Sequence, residues 1–294
     1  MSLIDAIKKP AEGFKGKLGV SVKHLGTGES ADLNGDMLFP TASVFKVPVI
    51  VEFYRQVEDC MIGLDDQVLL RDSDKVPGSG ILKELTEGLP VSYRDLLSLM
   101  MIVSDNTATD LIVKTVGFDN INDAMKDLGL KDTKVTKYCR QILFDLVGIN
   151  DLSIEEMTID VFQKASEGGD FEGSWSLGTE DNDITTPNEM LKLVEYIVEG
   201  KAAEPESCQA ILDIMAKCQT GGYRIPKYLP LNKLLLQRKT GSLPGVRNDV
   251  GVITVKETGE KYILACFTMD AEDNYEAEEV IAKVSQAVYQ YFTG

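Results

Sequence analysis

Ser43 and Lys46 lie in the stretch PTASVFKVPVIVEFY, which runs from Pro40 to Tyr54. A serine becomes a useful nucleophile when a neighbouring group accepts its proton. On a helix, residues i and i+3 share a face, so Ser43 and Lys46 would stand one turn apart. The residues after Lys46 are mostly apolar, and burial lowers the pKa of a lysine amine towards neutrality. The pair therefore predicts a serine nucleophile with a lysine as its base.

Histidine, the usual base for a serine, occurs once in this chain, as His24. It lies at the end of the strand-like run VSVKHL, where a structural side chain is the simpler interpretation. A single histidine also argues against a metal site built on imidazole ligands. The sequence implies neither a metal nor an organic cofactor, so any base for a serine must be another residue type.

Two further polar tripeptides make the Ser43–Lys46 spacing informative, since S-x-x-K alone arises by chance about once in a few hundred residues. S-D-N occupies residues 104–106 between two helix-like runs, and K-T-G occupies residues 239–241 on a strand-like run. S-x-x-K, S-D-N and K-T-G together are the signature of class A β-lactamases and penicillin-binding proteins. From about residue 15 to the C-terminus, the sequence resembles this superfamily of serine hydrolases.

Four longer stretches extend the resemblance. FPTASVFKVPV resembles the family's nucleophile helix, and VPGSGILKEL resembles the loop and short helix that precede S-D-N. DITTPNEMLKLV is similar to the helix after the family's active-site loop. QTGGYRIPKYLP resembles a stretch that, in some class A enzymes, carries an arginine for the substrate carboxylate, which here would be Arg224.

The resemblance implies roles in acyl transfer for the motif residues. Ser43 would attack the substrate carbonyl and form the acyl-enzyme, while Lys46 would accept or relay its proton. Ser104 would pass a proton to the leaving nitrogen, helped by the positive field of Lys239. The expected reaction is therefore hydrolysis of β-lactams or related amides through a covalent intermediate.

The same resemblance implies a small-molecule substrate, β-lactam or peptide-like, that carries a carboxylate. The oxyanion would lie between the backbone N–H groups of Ser43 and Ser242, and Asn106 would bind the amide of the acyl side chain. The residues implied to bind the carboxylate are Thr240, Ser242 and Arg224, with Gly241 completing the K-T-G motif.

The base for deacylation is the part of the family pattern that this sequence lacks. Class A enzymes activate the hydrolytic water with a glutamate, usually in an E-x-x-L-N loop, and no such motif occurs between residues 138 and 187. This stretch is also longer than the family's usual spacing. Asp170, Glu172 and Glu180 are candidates by proximity alone.

The missing glutamate leaves several functions open. A class A-like β-lactamase hydrolyses its acyl-enzyme efficiently. A D-alanyl-D-alanine peptidase or an esterase on the same scaffold would acylate Ser43 without that base. A non-hydrolytic penicillin sensor would acylate and stay acylated.

The order of predicted helices and strands indicates a mixed α/β fold of the α+β type, and these elements must position the motif residues. A helix and a hairpin are predicted in the first 36 residues, and LLLQRKTGS, NDVGVITV and EKYILACFTM predict three further strands before a final helix. Hairpin connections make the sheet antiparallel. We expect one α/β lobe from residues 1–40 plus 200–294, an inserted helical lobe from residues 41–199, and the site between them.

Charge and composition exclude some classes of binding partner. The formal net charge of −17 argues against nucleic acid, and no apolar run approaches the roughly 20 residues of a membrane span. The five cysteines form no C-x-x-C pair and favour free thiols over a disulfide framework. We expect a monomer. Its compartment stays open: periplasmic or secreted if a signal peptide was removed, cytoplasmic if Met1 is native.

Overall fold

A five-stranded antiparallel sheet forms the centre of the protein. The computed structural model describes residues 2–167 and 182–294. The strand order is β2-β1-β9-β8-β7, so strands from both ends of the chain lie side by side. The five strands are β1 Lys17–His24, β2 Ser30–Leu33, β7 Leu234–Leu243, β8 Val246–Val255 and β9 Lys261–Met269.

Two short pairs of strands lie outside this sheet. They are β3 Phe39–Pro40 with β6 Ile184–Thr185, and β4 Gln67–Leu69 with β5 Pro90–Ser92. The α-helices within the described residues are α1 Leu3–Ala11, α2 Lys46–Glu58, α3 Tyr93–Ile102, α4 Asn106–Val116, α5 Phe118–Asp127, α6 Cys139–Leu146, α7 Ile159–Ser166, α8 Pro187–Val198, α9 Pro205–Met215 and α10 Asn274–Thr293.

Helices cover both faces of the sheet. α1 and α10 pack on one face and enclose a smaller apolar core. α8 and α9 pack on the other face and connect it to the larger core, which α2 to α5 share. Burial on both faces explains why β8 and β9 consist almost entirely of buried residues.

The predicted mixed fold is confirmed: the antiparallel sheet combines strands from both ends of the chain, and helices fill the region between them. The predicted break at S-D-N lies between α3 and α4. His24 ends β1, where its Nδ1 accepts the N–H of Thr27, as a structural histidine would.

The lobe boundaries at residues 40 and 199 stay a prediction. No helix of the described residues is long and apolar enough to cross a bilayer.

Two helices occupy stretches to which the sequence pattern assigned none. α6 lies in the stretch 138–186, which has the least regular sequence pattern, and its first N–H groups are bound by a side chain from α4. Such a long-range cap leaves no local sequence signal. α9 begins with Pro205 at its first turn, which is a recognisable helix start.

Candidate active site

Ser43 lies in a 3₁₀ turn, Ala42–Phe45, immediately before α2. Ala42 has a positive φ of 43°, an uncommon conformation for a residue other than glycine. The side-chain amide of Asn248 donates to the carbonyl oxygens of Pro40 and Thr41, at 2.8 and 3.0 Å. The turn is therefore held in a strained shape by β8. Ser43 itself is half-buried, and within the described residues its hydroxyl has no hydrogen-bond partner.

Lys46 is completely buried at the start of α2. Its Nζ donates to the Ser104 carbonyl at 2.8 Å, the Ser104 Oγ at 3.0 Å and the Asn106 Oδ1 at 3.1 Å. Burial lowers the pKa of this amine, although nearby Asp105 and Asp110 oppose the shift. The burial that the apolar sequence around Lys46 predicts is confirmed, and the amine is directed at the S-D-N motif.

Ser104 lies between two lysines. Its Oγ is 3.0 Å from Nζ of Lys46 and also 3.0 Å from Nζ of Lys239. A hydroxyl accepts on two lone pairs and donates one proton, so two lysine donors would leave the Ser104 proton available to another group. Ser104 also has a positive φ of 59°. Strained backbone thus occurs beside Ser43 and at Ser104, as is common at functional sites.

Lys239 reaches this cluster from β7 and is completely buried. Its Nζ also donates to the carbonyl of Thr240 at 2.7 Å. Burial, and then repulsion from Lys46, lowers the pKa of Lys239 to about 7. Two ammonium groups on one hydroxyl repel each other, which favours a neutral amine on one of them near neutral pH.

The other two S-D-N residues face opposite ways. Asn106 accepts from Lys46 and donates to the carbonyl of Pro77 at 3.0 Å, so its amide lies in the site. Asp105 faces away and accepts the N–H groups of Ile81 and Leu82, at 2.7 and 2.9 Å. The middle residue of the motif therefore holds the loop before α3 while its neighbours face the nucleophile.

Gly241 brings the edge strand β7 against the nucleophile turn. A Cβ at this position would lie 2.5 Å from the Thr41 carbonyl oxygen and 3.1 Å from the Ser43 nitrogen. The next residue, Ser242, pairs with Arg247 on β8, and the Arg247 N–H is directed to Thr268 on β9 instead. That geometry is typical of a non-hydrogen-bonded pair, in which the Ser242 N–H points away from β8 towards Ser43.

All five N–H donors of Arg224 are engaged. Its guanidinium donates to the carbonyls of Gly241 and Asn248, to Oγ of Ser242, and twice to Glu278. The side chain is buried and forms an ion pair with Glu278 at 3.0 Å. The predicted direct contact with a substrate carboxylate stays a prediction, and in this structure it would require Arg224 to release one of these bonds.

Arg247 is a candidate that sequence reasoning missed. It lies opposite Ser242 on β8, on the same face of the sheet. Its Nη1 donates to the carbonyls of Leu243 and Val246, and Nε is 3.5 Å from Glu278. Nη2 has no hydrogen-bond partner within the described residues. The sequence V-R-N follows the K-T-G strand at hairpin distance, and that spacing is the signal that would have found it.

The opposite wall of the site is apolar. A cavity of about 80 Å³ beside Ser43 is lined on that side by Cys139, Ile142 and Leu143 of α6. None of the described residues that line it is a carboxylate. Burial raises the pKa of the Cys139 thiol, so it is protonated and does not act as a base. No residue-type pattern in the sequence marks Cys139.

The three predicted candidates for the deacylation base fall elsewhere. Asp170, Glu172 and Glu180 belong to the stretch 168–181, which lies outside the described residues. Their position relative to Ser43 stays a prediction. The structure thus brings the S-x-x-K, S-D-N and K-T-G residues into one cluster and leaves the second base unassigned.

Comparison with known proteins places this arrangement in a family. A sequence model described as the β-lactamase enzyme family matches residues 2–292. β-Lactamase VEB-1 of Pseudomonas aeruginosa is 23% identical over 287 residues, covering 94% of this chain and 85% of that protein.

Solved structures agree in fold. The crystal structure of a β-lactamase from Sphaerobacter thermophilus DSM 20745 matches with a TM-score of 0.80 and 32% identity, over 98% of this chain and 96% of that chain. A point mutant of PBP-A, in an acyl-enzyme complex with penicillin G, matches with a TM-score of 0.79 and 23% identity, over 99% of this chain and 95% of that chain.

Proposed function

The chain belongs to the β-lactamase enzyme family. From that membership we propose which step of acyl transfer each of its site residues performs. It is a serine β-lactamase-like hydrolase that acts on a small molecule. The observation that supports the assignment of residues is the position of the Ser104 hydroxyl, bound by both Lys46 and Lys239 in the cluster beside Ser43.

Acylation begins at Ser43. Its Oγ attacks the carbonyl carbon, and its proton passes to neutral Lys46, one helical turn away. Lys46 returns a proton to Ser104 through their 3.0 Å contact, and Ser104 delivers its own proton to the leaving nitrogen as the C–N bond breaks. The N–H groups of Ser43 and Ser242 stabilise the oxyanion. Charged Lys239 favours the negative charge that develops in this step.

The substrate carboxylate binds at the end of the site formed by β7 and β8. Thr240 and Ser242 offer hydroxyl groups, of which the first is hydrogen-bonded to the Thr220 hydroxyl and the second accepts from Arg224. Arg247 offers a guanidinium nitrogen without another partner among the described residues. Arg224 holds the Ser242 hydroxyl in place and has no donor to spare. Asn106 retains an amide hydrogen for the acyl side chain, because its described contacts use one donor.

The fate of the acyl-enzyme divides two candidate functions. A class A-like β-lactamase requires a base for water, which would have to come from residues 168–181 or from a water-mediated contact. A D-alanyl-D-alanine peptidase-like or penicillin-sensing role is favoured by the apolar wall of Cys139, Ile142 and Leu143. We propose β-lactam acylation at Ser43 as the common step of both functions.

Incubation with a chromogenic cephalosporin tests this proposal, with colour and intact protein mass followed together. Sustained colour identifies a β-lactamase. One stoichiometric burst with a persistent mass adduct identifies the peptidase or sensor.

Ser43→Ala should show neither colour nor adduct, while Ser30→Ala, on the opposite edge strand β2, should behave as the unaltered protein does. An adduct that survives in Ser43→Ala would refute the nucleophile assignment. A wild-type protein that shows no colour and no adduct with cephalosporins or penicillins would refute the substrate class.

A further inference from the structure

Asp110 on α4 binds the start of α6, the helix that forms the apolar wall. Its Oδ1 accepts the N–H of Cys139 at 2.7 Å, and its Oδ2 accepts the N–H of Arg140 at 3.1 Å. Cys139 lines the Ser43 cavity, as do Ile142 and Leu143 in the next turn of α6. The orientation of this wall therefore depends on a carboxylate that does not itself touch the cavity.

We propose that ionised Asp110 is a positioning residue for the wall of the Ser43 cavity, and that its protonation releases one of the two N–H groups that fix this wall. The consequence for acyl transfer rests on the function proposed above. The hydrogen-bond arrangement supports the proposal directly. Each oxygen of Asp110 accepts one N–H, so a proton on either oxygen would face an N–H donor.

Asp183 provides an internal contrast. It binds the same chain segment slightly earlier, but its Oδ1 alone accepts both N–H groups, those of Thr136 at 2.7 Å and Lys137 at 3.0 Å. Its Oδ2 and the Thr136 Oγ1 are buried without a partner among the described residues. Asp183 can therefore carry a proton on Oδ2 and keep both N–H bonds. Protonation should release the chain at Asp110 and not at Asp183.

Asp110 titrates in an accessible range. Burial raises its pKa to about 6, against the opposing effects of its N–H bonds and of Arg140 and Lys46. A cavity of about 280 Å³ on the side of α6 away from Ser43 is lined in part by Asp110, which gives protons a route to it. The titratable and charged groups around it are Lys46, Cys139, Asp183, Tyr138 and Arg140, with Asp74, Lys114 and Glu155 across that cavity.

The contribution of Asp110 to stability should change in the opposite direction, which separates positioning from a general structural effect. The folded-state pKa of Asp110, about 6, exceeds the ordinary value of 3.8 for this carboxyl group. Between these values Asp110 binds more protons in the folded protein than in the unfolded chain, so its own contribution to stability rises as the pH falls. Positioning of α6 instead weakens as the pH falls. A rate that merely followed this contribution to stability would rise as Asp110 gains its proton.

Hydrogen–deuterium exchange measured by mass spectrometry tests the proposal directly. The protection factor of one of the two amides, Cys139 or Arg140, corrected for intrinsic exchange, should fall about fivefold from about pH 7.5 to about pH 5, the size expected for one lost hydrogen bond. Asp110→Asn retains one acceptor oxygen and should show the low protection at every pH. Asp183→Asn, the matched control, should keep the wild-type step.

The acylation rate constant of a fluorescent penicillin, measured over the same pH series, should fall by a larger factor on acidification in the wild type than in Asp110→Asn, because the effect of Lys46 and Lys239 is common to both. A wild-type protein without acylation at any pH would refute the proposed function, while amide exchange would still test Asp110. Constant protection in the wild type, or a step that survives in Asp110→Asn, would overturn the positioning role. If Asp110→Asn failed to fold, the amide-protection series of the wild type and of Asp183→Asn would still test the proposal, because both should show the same loss of protection on acidification.

Discussion

The two walls of the Ser43 cavity differ in chemistry and in how they are held. On one side, which we call the polar wall, Asn106 lines the cavity and accepts from Lys46 at 3.1 Å, and the Lys46 amine in turn lies 3.0 Å from the Ser104 Oγ. The other wall presents a protonated thiol and two aliphatic side chains from α6. The polar wall has what proton transfer to and from a leaving group requires, whereas the described part of the apolar wall has no group that activates water.

This difference separates the two half-reactions in space. Acylation requires a base, a proton donor and a fixed positive charge, and Lys46, Ser104 and Lys239 supply these from three separate elements. Deacylation by water requires a base on the other side of the acyl group. The two half-reactions should therefore respond to different substitutions, which the following experiments use.

Lys46→Met should have the largest effect, because it removes the base and keeps most of the buried volume. Loss of a positioned acid–base group lowers a rate by about 10²–10⁴-fold. The measurement is the second-order rate constant for the mass adduct with a penicillin. Lys114→Met, at an exposed position on α4, is the matched control and should acylate normally. Unchanged acylation in Lys46→Met would remove the polar wall from the mechanism.

Cys139→Glu should add to the apolar wall the function it lacks. A carboxylate beside Ser43 and within the field of Lys46 should shorten the lifetime of a preformed penicillin adduct by about 10²-fold. Cys139→Gln introduces a side chain of nearly the same size as glutamate but no base, so it should leave the adduct as persistent as in the wild type. Decay of the mass adduct after removal of free penicillin measures both.

Two other outcomes would change the comparison. If Cys139→Glu and Cys139→Gln deacylate equally, this position is not where a base is missing. If the wild type already deacylates rapidly, the base comes from outside the described wall. Glu172→Gln and Glu180→Gln, separately and together, would then show whether either carboxylate in residues 168–181 supplies it.

The sequence predicts the polar wall far better than the apolar one. Ser43, Lys46, Ser104 and Lys239 belong to short motifs whose residue types are rare together, and the apolar run after Lys46 indicates its burial. The apolar wall depends on α6, and α6 depends on Asp110, which is distant in sequence. A wall of Cys, Ile and Leu is indistinguishable from ordinary core in a sequence.

No sequence pattern shows whether the hydrogen-bond donors of a side chain are already bound by other groups of the protein. Arg224 has the residue type and the place of a carboxylate-binding arginine, yet its donors are used by Gly241, Asn248, Ser242 and Glu278. The strained φ angles of Ala42 and Ser104 are likewise set by neighbouring elements and not by local preference.

Arg247→Ala tests whether Arg247, and not Arg224, binds the substrate carboxylate. Its expected effect is smaller. Loss of a partly screened, charged hydrogen bond to the substrate carboxylate should raise KM about tenfold with little change in kcat. The methyl ester of the same substrate has no carboxylate charge, so Arg247→Ala should not weaken its binding further. Lys256→Ala, an exposed cation beyond the far end of β8, is the control.

An equal loss on acid and ester would show that Arg247 supports the fold of this region and not the carboxylate. Arg224→Ala should differ from Arg247→Ala, since it leaves the Ser242 hydroxyl without its donor and leaves partly buried Glu278 with only the 3.5 Å contact to Arg247. We expect it to lower the unfolding temperature as well as kcat, measured by calorimetry and by the same kinetic assay.

The pH dependence of acylation should give the smallest effect, a several-fold change that still identifies the polar wall. Burial lowers the pKa of both lysines, that of Lys239 to about 7. Acylation needs Lys46 neutral and Lys239 charged, so loss of the Lys46 proton should raise the rate, and neutralisation of Lys239 as the pH passes through about 7 should lower it. Lys239→Arg, which stays charged, should lose only the falling limb.

Because both amines contact one Ser104 oxygen, the two limbs belong to the pair and not to either lysine alone. Removing one charge should therefore move the other limb: Lys239→Met relieves repulsion and should shift the rising limb to higher pH. The described part of the apolar wall contains no lysine, so Cys139→Gln should leave both limbs of the pH–rate profile in place. A rising limb unmoved in Lys239→Met would mean that the two amines do not share Ser104 during catalysis.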